Sequence, residues 1–507
     1  MLHSSGVLYY LFMKKILIIL FIVLVGQGQV FCQSQSWHPG LFRVNTTVSA
    51  GRESIETVAS KAERNGMEFV VFSDQFLVKG EYGLPPFRNI LKKSVERPSI
   101  CTYGIEYYLQ RIEETGRKYP GIVVIPGADI APHYYWKGSP FTGNLMTRQF
   151  SEQLTVFGSS DPEFYRKLPV IHNNYMSFSF SNFFLSILPL LLSLIGAFTL
   201  LSLKKTYYED AQGNKYVKYK KTKAVVGIIL ILIGIIWCIN NRPFTCKFGY
   251  NQYSSYGASP YQKVIDYVRK NGGDSSGIMW SAPEATMKDK IGGVSMLTAP
   301  YLDDILKTDG HNGFAGIYGD VAHAYEPGKD WDIMLKEYCS GKRSVRPVVV
   351  GEADYHGSGD ISFIQTVINS NKLDQRNVVS AITAGRSYAV SSQGGNMITI
   401  QNISIENGIC ICGPGELVKY SSRFPMVLNI KGKVQTENKI EKFPGEIKII
   451  IDGKESSTKK INLSNFTLLD QIPATEFDKD LKRHYIRFYI KTYGAGLLIS
   501  NPIFVEL

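Results

Sequence analysis

Two long apolar segments in the middle of the chain constrain its fold more than any other feature. Residues 183–203 contain no charged side chain over 21 positions, and residues 224–240 are mostly Val, Ile, Leu and Gly. A helix rises about 1.5 Å per residue, so such a segment can cross the roughly 30 Å apolar core of a bilayer. The sequence therefore predicts two transmembrane helices, the second of which is short enough to need its flanks. Buried helices of a soluble protein are the alternative.

The connection between these segments is strongly basic. Residues 204–223 hold seven lysines and two acids, which accounts for +5 of the chain's net charge of +12. Basic loops next to membrane spans are typical of the cytoplasmic side. We therefore expect a cytoplasmic loop at 204–223 and interpret the positive charge as a topology signal. A basic groove with interleaved aromatic residues is not visible elsewhere in the sequence, so we expect no nucleic-acid partner.

The N-terminus carries an export pattern. Met13-Lys14-Lys15 precedes ten apolar residues at 16–25, and a short polar stretch leads to Cys32. A basic start followed by a short apolar core is typical of a secretory signal. We assign residues 1–32 to a signal peptide or, alternatively, to an N-terminal anchor. Together with the two apolar segments, this predicts a multi-pass membrane protein with the bulk of its chain on the extracytoplasmic side.

Alternating strands and helices are predicted on both sides of the apolar pair. The part at 36–175 has predicted strands at 42–44, 68–73 and 121–125 and a predicted helix at 53–65. The part at 250–392 has predicted helices at 260–270 and 301–307 and predicted strands at 278–281, 314–318 and 347–351. Repeated βα units predict an α/β fold with its functional site at the carboxyl ends of the strands.

The pattern becomes all-β over residues 394–507. Apolar and polar residues alternate at 397–400, 426–430, 446–451, 484–491 and 497–507, and turns such as Asp452-Gly453 separate these segments. Alternation with a period of two is typical of strands that bury one face. We therefore predict a C-terminal sandwich-like module.

Five short motifs, each at a predicted strand end, follow one another in a distinctive order. They are Phe42-Arg43-Val44-Asn45-Thr46, Phe72-Ser73-Asp74-Gln75, Pro126-Gly127-Ala128-Asp129, Trp280-Ser281-Ala282-Pro283 and Gly351-Glu352-Ala353-Asp354-Tyr355-His356. This order resembles the PHP (polymerase and histidinol phosphatase) family, whose counterparts are His-x-His-Thr, Thr-Asp-His, Gly-x-Glu, Ser-His-Pro and Asp-x-His. The segment 381–389 is also similar to that family. The resemblance implies a distorted (β/α)7 barrel that the two-helix transmembrane hairpin interrupts, and it extends to an uncharacterised membrane-bound subgroup.

The resemblance also implies a metal centre, for which this sequence has lost several ligands. PHP enzymes hold divalent metals with His, Asp and Glu side chains, and the metals activate water and clamp a phosphate ester. The degenerate ligand positions are Arg43, Asn45, Gln75, Gln153 and Ala282. The candidate ligands that remain are Asp74, Asp129, His133, Asp354 and His356. His133 and Gln153 are alternatives for one position, depending on how the segment 152–156 aligns.

Arg43 is the most informative of these replacements. A guanidinium is always charged, so beside Asp74 or Asp129 it would neutralise carboxylates that a metal would otherwise bridge. We therefore favour a non-catalytic PHP-like protein without metal, which acts as a binding or scaffold protein for an unknown protein or small-molecule ligand. The alternative is an active phosphoesterase that hydrolyses an exported phosphate ester with one zinc, manganese or iron ion on the remaining ligands.

Overall fold

The computed structural model describes residues 35–173, 180–203, 206–209, 211–218, 221–244, 249–273, 275–291, 293–436, 443–462 and 464–507. The predicted signal at 1–32 lies outside these ranges, as do several positions of the lysine-rich loop. The fold is mixed α/β, as the sequence predicts, and it contains one large sheet.

The part before the apolar helices contains the first three motifs. Its strands are β1 Trp37–Val44, β2 Phe69–Phe72, β3 Val78–Gly83, β4 Lys92–Arg97, β5 Val123–Ile125, β6 Gly127–Ile130, β7 Tyr135–Lys137, β8 Met146–Arg148 and β9 Leu154–Phe157. Its helices are α1 Ile55–Arg64, α2 Ile100–Tyr103, α3 Ile105–Lys118 and α4 Pro162–Arg166. The helix predicted at 53–65 is confirmed as α1, which begins after Ser54 because that side chain accepts the Thr57 N–H.

Two helices of the structure are long and apolar enough to cross a membrane, at Phe180–Leu201 and Lys221–Asn241. The first comprises α5 Phe180–Ile187 and α6 Leu190–Leu201, and the second is α7 Lys221–Asn241. The break between α5 and α6 falls at Pro189, which has no N–H to donate. Two short strands, β10 Thr206–Glu209 and β11 Lys215–Lys218, pair within the connecting loop.

The part after the apolar helices continues the alternation of strands and helices. Its helices are α8 Ser259–Asn271, α9 Leu302–Lys307, α10 Asp330–Cys339 and α11 Gln375–Ala384. Its strands are β12 Gly277–Trp280, β13 Met287–Ile291, β14 Val294–Thr298, β15 Gly313–Ile317, β16 Val348–Tyr355, β17 Ile364–Asn369 and β18 Ser387–Ser391. These elements overlap every helix and strand predicted in this part.

Strand pairing joins the two parts into one circuit. β1 pairs in parallel with β2 and with β16, and β16, β15 and β12 follow one another in parallel. β9 then pairs antiparallel with both β12 and β6. A single β-bridge between Gln75, which follows β2, and Asp129 of β6 then closes the circuit, because β2 pairs with β1. The ends of β1, β6 and β16 therefore surround one centre.

The C-terminal part consists of further strands. They are β19 Met397–Glu406, β20 Ile411–Cys412, β21 Leu417–Lys419, β22 Met426–Gln435, β23 Pro444–Ile451, β24 Lys454–Asn462, β25 Asn465–Ile472, β26 His484–Thr492, β27 Gly496–Ser500 and β28 Ile503–Glu506. β27 pairs with β18, so the large sheet runs from the α/β part into the C-terminal part. The separate sheet β20-β19-β22-β25 packs on it through buried apolar side chains, among them Ile403, Leu428, Ile449 and Phe488.

The prediction of one continuous strand at 497–507 is wrong, because the segment is interrupted between β27 and β28. Pro502 lacks the N–H that a continuous strand would use. Asn501 instead turns its side chain to the neighbouring strand, where its Oδ1 accepts from Val349 N at 2.8 Å and its Nδ2 donates to Val349 O at 2.9 Å. The Asn501 side chain thus holds the C-terminal segment against β16.

Candidate functional site

Arg43 lies at the carboxyl end of β1 and is the centre of a buried polar network. Its Nε donates to Asp129 Oδ2 at 2.8 Å, its Nη1 to Asp354 Oδ1 at 2.6 Å and its Nη2 to Gln153 Oε1 at 2.8 Å. Nη1 also lies 3.5 Å from Glu352 Oε2. One guanidinium therefore joins the ends of β1, β6 and β16 and the residue before β9, an arrangement for which its planar set of donors is suited.

The electrostatics of this network follow from burial and from charge pairing. Burial alone would lower the pKa of Arg43, but the carboxylates of Asp129, Asp354 and Glu352 outweigh it and raise the pKa well above its usual value. Burial raises the pKa of Asp129, against the lowering effect of Arg43. Burial also raises the pKa of Glu352 to about 8. Glu352 is therefore mostly protonated below that pH, and Asp354 faces solvent with 41% of its side chain.

Asp74 is held by a different set of donors. Its Oδ1 accepts from Thr46 N at 2.7 Å and from Ser49 Oγ at 2.6 Å, and its Oδ2 accepts from Thr46 Oγ1 at 2.8 Å. These donors come from the loop after β1. Of the two partners that the sequence offered for Arg43, the structure joins Asp129 to the guanidinium and Asp74 to this loop.

Three of the replaced ligand positions lie around the same centre. Asn45 Oδ1 accepts from Ser49 Oγ at 3.2 Å, while its Nδ2 is buried and finds no hydrogen-bond partner among the residues described. Gln75 lines a small cavity together with Asp129 and Gln153. Ala282 offers only its backbone N–H, which donates to Glu352 Oε2 at 3.2 Å.

The two candidate histidines are placed differently. His133 is buried among aromatic rings, 5.4 Å from the ring centroid of Tyr256, and its Nε2 hydrogen-bonds to Asn251 O at 2.9 Å. Gln153, the alternative for the same ligand position, reaches Arg43 instead. His356 lies close to the centre with 38% of its side chain exposed, and its Nδ1 is 2.8 Å from the carbonyl oxygen of Asp354.

Glu352, Thr155 and Ser281 belong to the network but were not among the predicted site residues. Thr155 Oγ1 donates to Asp129 Oδ1 at 2.5 Å and lies 2.7 Å from Ser281 Oγ. A signal for Glu352 existed, because residues two apart on a strand point to the same face and Glu352 is two positions before Asp354. An acidic residue in the same strand as the apolar run Val348-Val349-Val350 marks a polar face of β16.

The residues present do not fit the metal cluster that a PHP enzyme would hold. The carboxylates that converge at this centre already accept hydrogen bonds from Arg43, and a divalent cation would lie beside a positive charge that cannot be removed. Within the described ranges, His, Cys, Asp and Glu side chains form no group of three or more that could hold a metal ion. We therefore derive no catalytic step through a metal.

Comparisons with protein-family models and with curated proteins found no match. Solved structures with similarity include a two-domain protein from Bacteroides vulgatus that contains a predicted PHP-like metal-dependent phosphoesterase. It is 9% identical, with coverage of 93% of this chain and 96% of the other and a TM-score of 0.36. A protein from Bifidobacterium adolescentis, described as a metal-dependent phosphoesterase, is 13% identical over 63% of this chain and 88% of its own, with a TM-score of 0.26. Both TM-scores are low, so these similarities carry no conclusion about the site.

Proposed function

We propose that this chain is a membrane-anchored PHP-type protein in which a network around one arginine replaces the metal centre. It acts as a non-catalytic binding or scaffold protein for a protein or small-molecule ligand. The observation that carries this proposal is the Arg43 guanidinium, which donates to Asp129, Asp354 and Gln153 where the motif-bearing strands end. The five ordered motifs and the circuit of strand pairs support a distorted (β/α)7 barrel.

The membrane anchor is proposed on physical grounds. In the most apolar stretch of each long helix only 11% of the residues are buried, so most of these side chains need an apolar surrounding other than the protein core. The two helices contact each other closely at Gly196 and Gly227. A Cβ added at Gly196 would lie only 2.5 Å from Gly227 O, so a glycine is needed at this contact. The lysine-rich loop between them then lies in the cytoplasm, and the soluble parts lie on the opposite side.

Metal binding by the full chain in detergent tests the site. Manganese or zinc added to the protein should leave its melting temperature unchanged, and elemental analysis should find less than one metal ion per chain. A metal at about 100 times its dissociation constant would contribute about 2.7 kcal/mol, which a melting curve detects. Strong stabilisation that is lost in both Asp354→Ala and His356→Ala would overturn the proposal and support a metal-dependent phosphoesterase on an exported phosphate ester.

Labelling of single cysteines in intact cells tests the topology. The starting protein carries Ser at all seven natural cysteine positions, and Ala211→Cys in the loop between β10 and β11 is compared with Lys372→Cys in the soluble part. A membrane-impermeant thiol reagent should label the second variant and spare the first. Labelling of Ala211→Cys from outside would show that the hairpin has the opposite orientation.

A further inference from the structure

A ribbon formed by β3 and β4 lies beside the end of a proposed membrane helix. The loop at its tip contains Asn89, whose backbone N donates to Asn240 Oδ1 at 2.9 Å and whose Nδ2 donates to Asn240 O at 2.7 Å. Asn240 is the second-to-last residue of α7. These two hydrogen bonds place the tip at the level where α7 would leave the bilayer.

The tip itself is apolar and exposed. Leu84, Ile90 and Leu91 all present much of their side chains to the surroundings. Exposed leucine and isoleucine side chains are unfavourable in water but suit the boundary of a membrane. The tip is thus a place where the protein surface can contact lipid.

One face of the ribbon forms the floor of an apolar groove. The register pairs Val78 with Arg97, Gly80 with Val95 and Tyr82 with Lys93, so these residues point to the same side. The groove encloses about 540 Å³, and its walls include Trp136, Leu145, Phe150, Val294 and Met296. Leu84 and Leu91 also line it, so the groove begins at the tip of the ribbon.

The charged residues of the groove are of one sign. Lys92, Lys93 and Arg97 line it, and the described lining contains no acidic side chain. Lys92 is paired with Glu81 at 2.5 Å, and Arg97 lies 3.4 Å from Asp289. Lys93 is exposed on the groove face near the tip. An apolar groove with cationic side chains at its membrane end complements an anionic amphiphile.

We propose that this groove binds an acyl chain of an anionic phospholipid from the bilayer that holds the protein, with the lipid phosphate beside Lys93. This inference rests on the membrane anchoring proposed above. The same groove reaches towards the Arg43 network, because Val78 and Phe150 line both the groove and the small cavity at Asp129 and Gln153. The proposal therefore gives a chemical class for the ligand of this non-catalytic protein, namely a membrane amphiphile.

Photolabelling of the full chain tests the groove. The protein is reconstituted into phosphatidylcholine vesicles that contain phosphatidylglycerol with a diazirine on its acyl chain, and labelled peptides are mapped by mass spectrometry. Label should appear in the segments 91–97 and 145–150. Val95→Arg puts a charge into the groove and should reduce this labelling about tenfold, which corresponds to about 1.4 kcal/mol. Ser94→Arg, the matched control one position away on the opposite face, should keep it.

The lipid charge and the anchoring are tested in the same preparation. Labelled phosphatidylglycerol should react more strongly than labelled phosphatidylcholine, and Lys93→Glu should remove that difference. Equal labelling by both lipids in the unmodified protein would overturn the anionic assignment. If the label is absent from the groove segments, or unchanged in Val95→Arg, the lipid site is overturned. If the protein nevertheless stays in the vesicles after an alkaline wash, the anchoring is unaffected by that result. Release of the protein by that wash would overturn the anchoring itself.

Discussion

Three residues around the Arg43 network hold a left-handed backbone that favours glycine. The φ angles are 66° at Arg43, 37° at Ala282 and 44° at Asp354. Such conformations cost of the order of 1 kcal/mol or more each and persist where the surrounding structure enforces them. All three lie at or just beyond a strand end in a different motif. The backbone at this centre is therefore strained into one geometry, whatever side chains it carries.

The Arg43 side chain should contribute strongly to stability. Arg43→Ala leaves the Asp129 carboxylate buried without its cation, and removal of one partner from a buried pair typically costs about 3–5 kcal/mol. Thermal or denaturant unfolding of the purified chain measures this. Arg117→Ala on α3 is the matched control, because that side chain is 73% exposed and pairs with Glu113 on the surface; about 0–1 kcal/mol is expected there. Similar small losses in both variants would contradict the role of Arg43.

Glu352 should make stability depend on pH. Burial raises its pKa from 4.5 to about 8, so between these values the folded state binds more protons than the unfolded state. The free energy of unfolding therefore falls as pH rises through this window, by a few kcal/mol at most. Glu352→Gln stays neutral and should flatten that part of the profile in melting curves taken from pH 5 to pH 8. Glu113→Gln on the exposed face of α3 should leave the profile unchanged, and an unchanged profile in Glu352→Gln would refute the assignment.

The sequence could indicate part of this network and not the rest. Arg43, Asp129 and Asp354 belong to motifs at or shortly after predicted strand ends, where side chains of neighbouring strands converge. Glu352 lies two positions before Asp354 in the same motif, at a position to which the resemblance assigns no ligand. His133 could not be placed, because its partners Asn251 and Tyr256 lie more than 100 residues later, beyond the apolar helices.

At the scale of elements, β1, β2, β12, β15 and β16 of the circuit were predicted because they contain short apolar runs bounded by turns. The β3–β4 ribbon was missed since only one of its faces is covered and charged pairs occupy the other, such as Lys79 with Glu96 at 3.0 Å. Helix α3 was also missed, although Tyr108, Leu109 and Ile112 recur at helical spacing on its buried face. The groove beside the ribbon is also lined by Thr147 of β8 and Met296 of β14, which lie far from the ribbon in sequence.

The pairing of β15 with β16 depends on one glycine. Gly313 has a φ of 141°, and a Cβ at this position would lie 1.8 Å from Val348 O. Gly313→Ala should therefore separate the two strands and destabilise the protein by about 3 kcal/mol or more. Gly319→Ala is the control, because it has no atom within 4 Å of an added Cβ; a change within about 0.5 kcal/mol is expected there. Equal melting temperatures for the two variants would contradict the close approach of these strands.

For the whole molecule, the apolar helices are an insertion within one pairing circuit. β1 from the first part pairs with β16 and β17 from the second, and β9 from the first pairs with β12 from the second. The C-terminal strands β21, β23, β24 and β26 to β28 continue the same sheet through the pairing of β18 with β27. The parts on either side of the hairpin are thus expected to fold together, which is possible only if both lie on the same side of the membrane.

This arrangement predicts that the first part cannot fold alone. A fragment of residues 36–175 would keep β1 and β9 but would expose the edges that β16, β17 and β12 cover. Arg43 would also lose Asp354 and Glu352, its partners from the second part. Unpaired edges promote association with other chains, so the fragment should aggregate or be degraded. Co-expression with residues 176–507 supplies the missing strands and should restore a soluble, co-purifying first part. A monomeric 36–175 fragment with a cooperative melting transition would show that the circuit is not needed for folding.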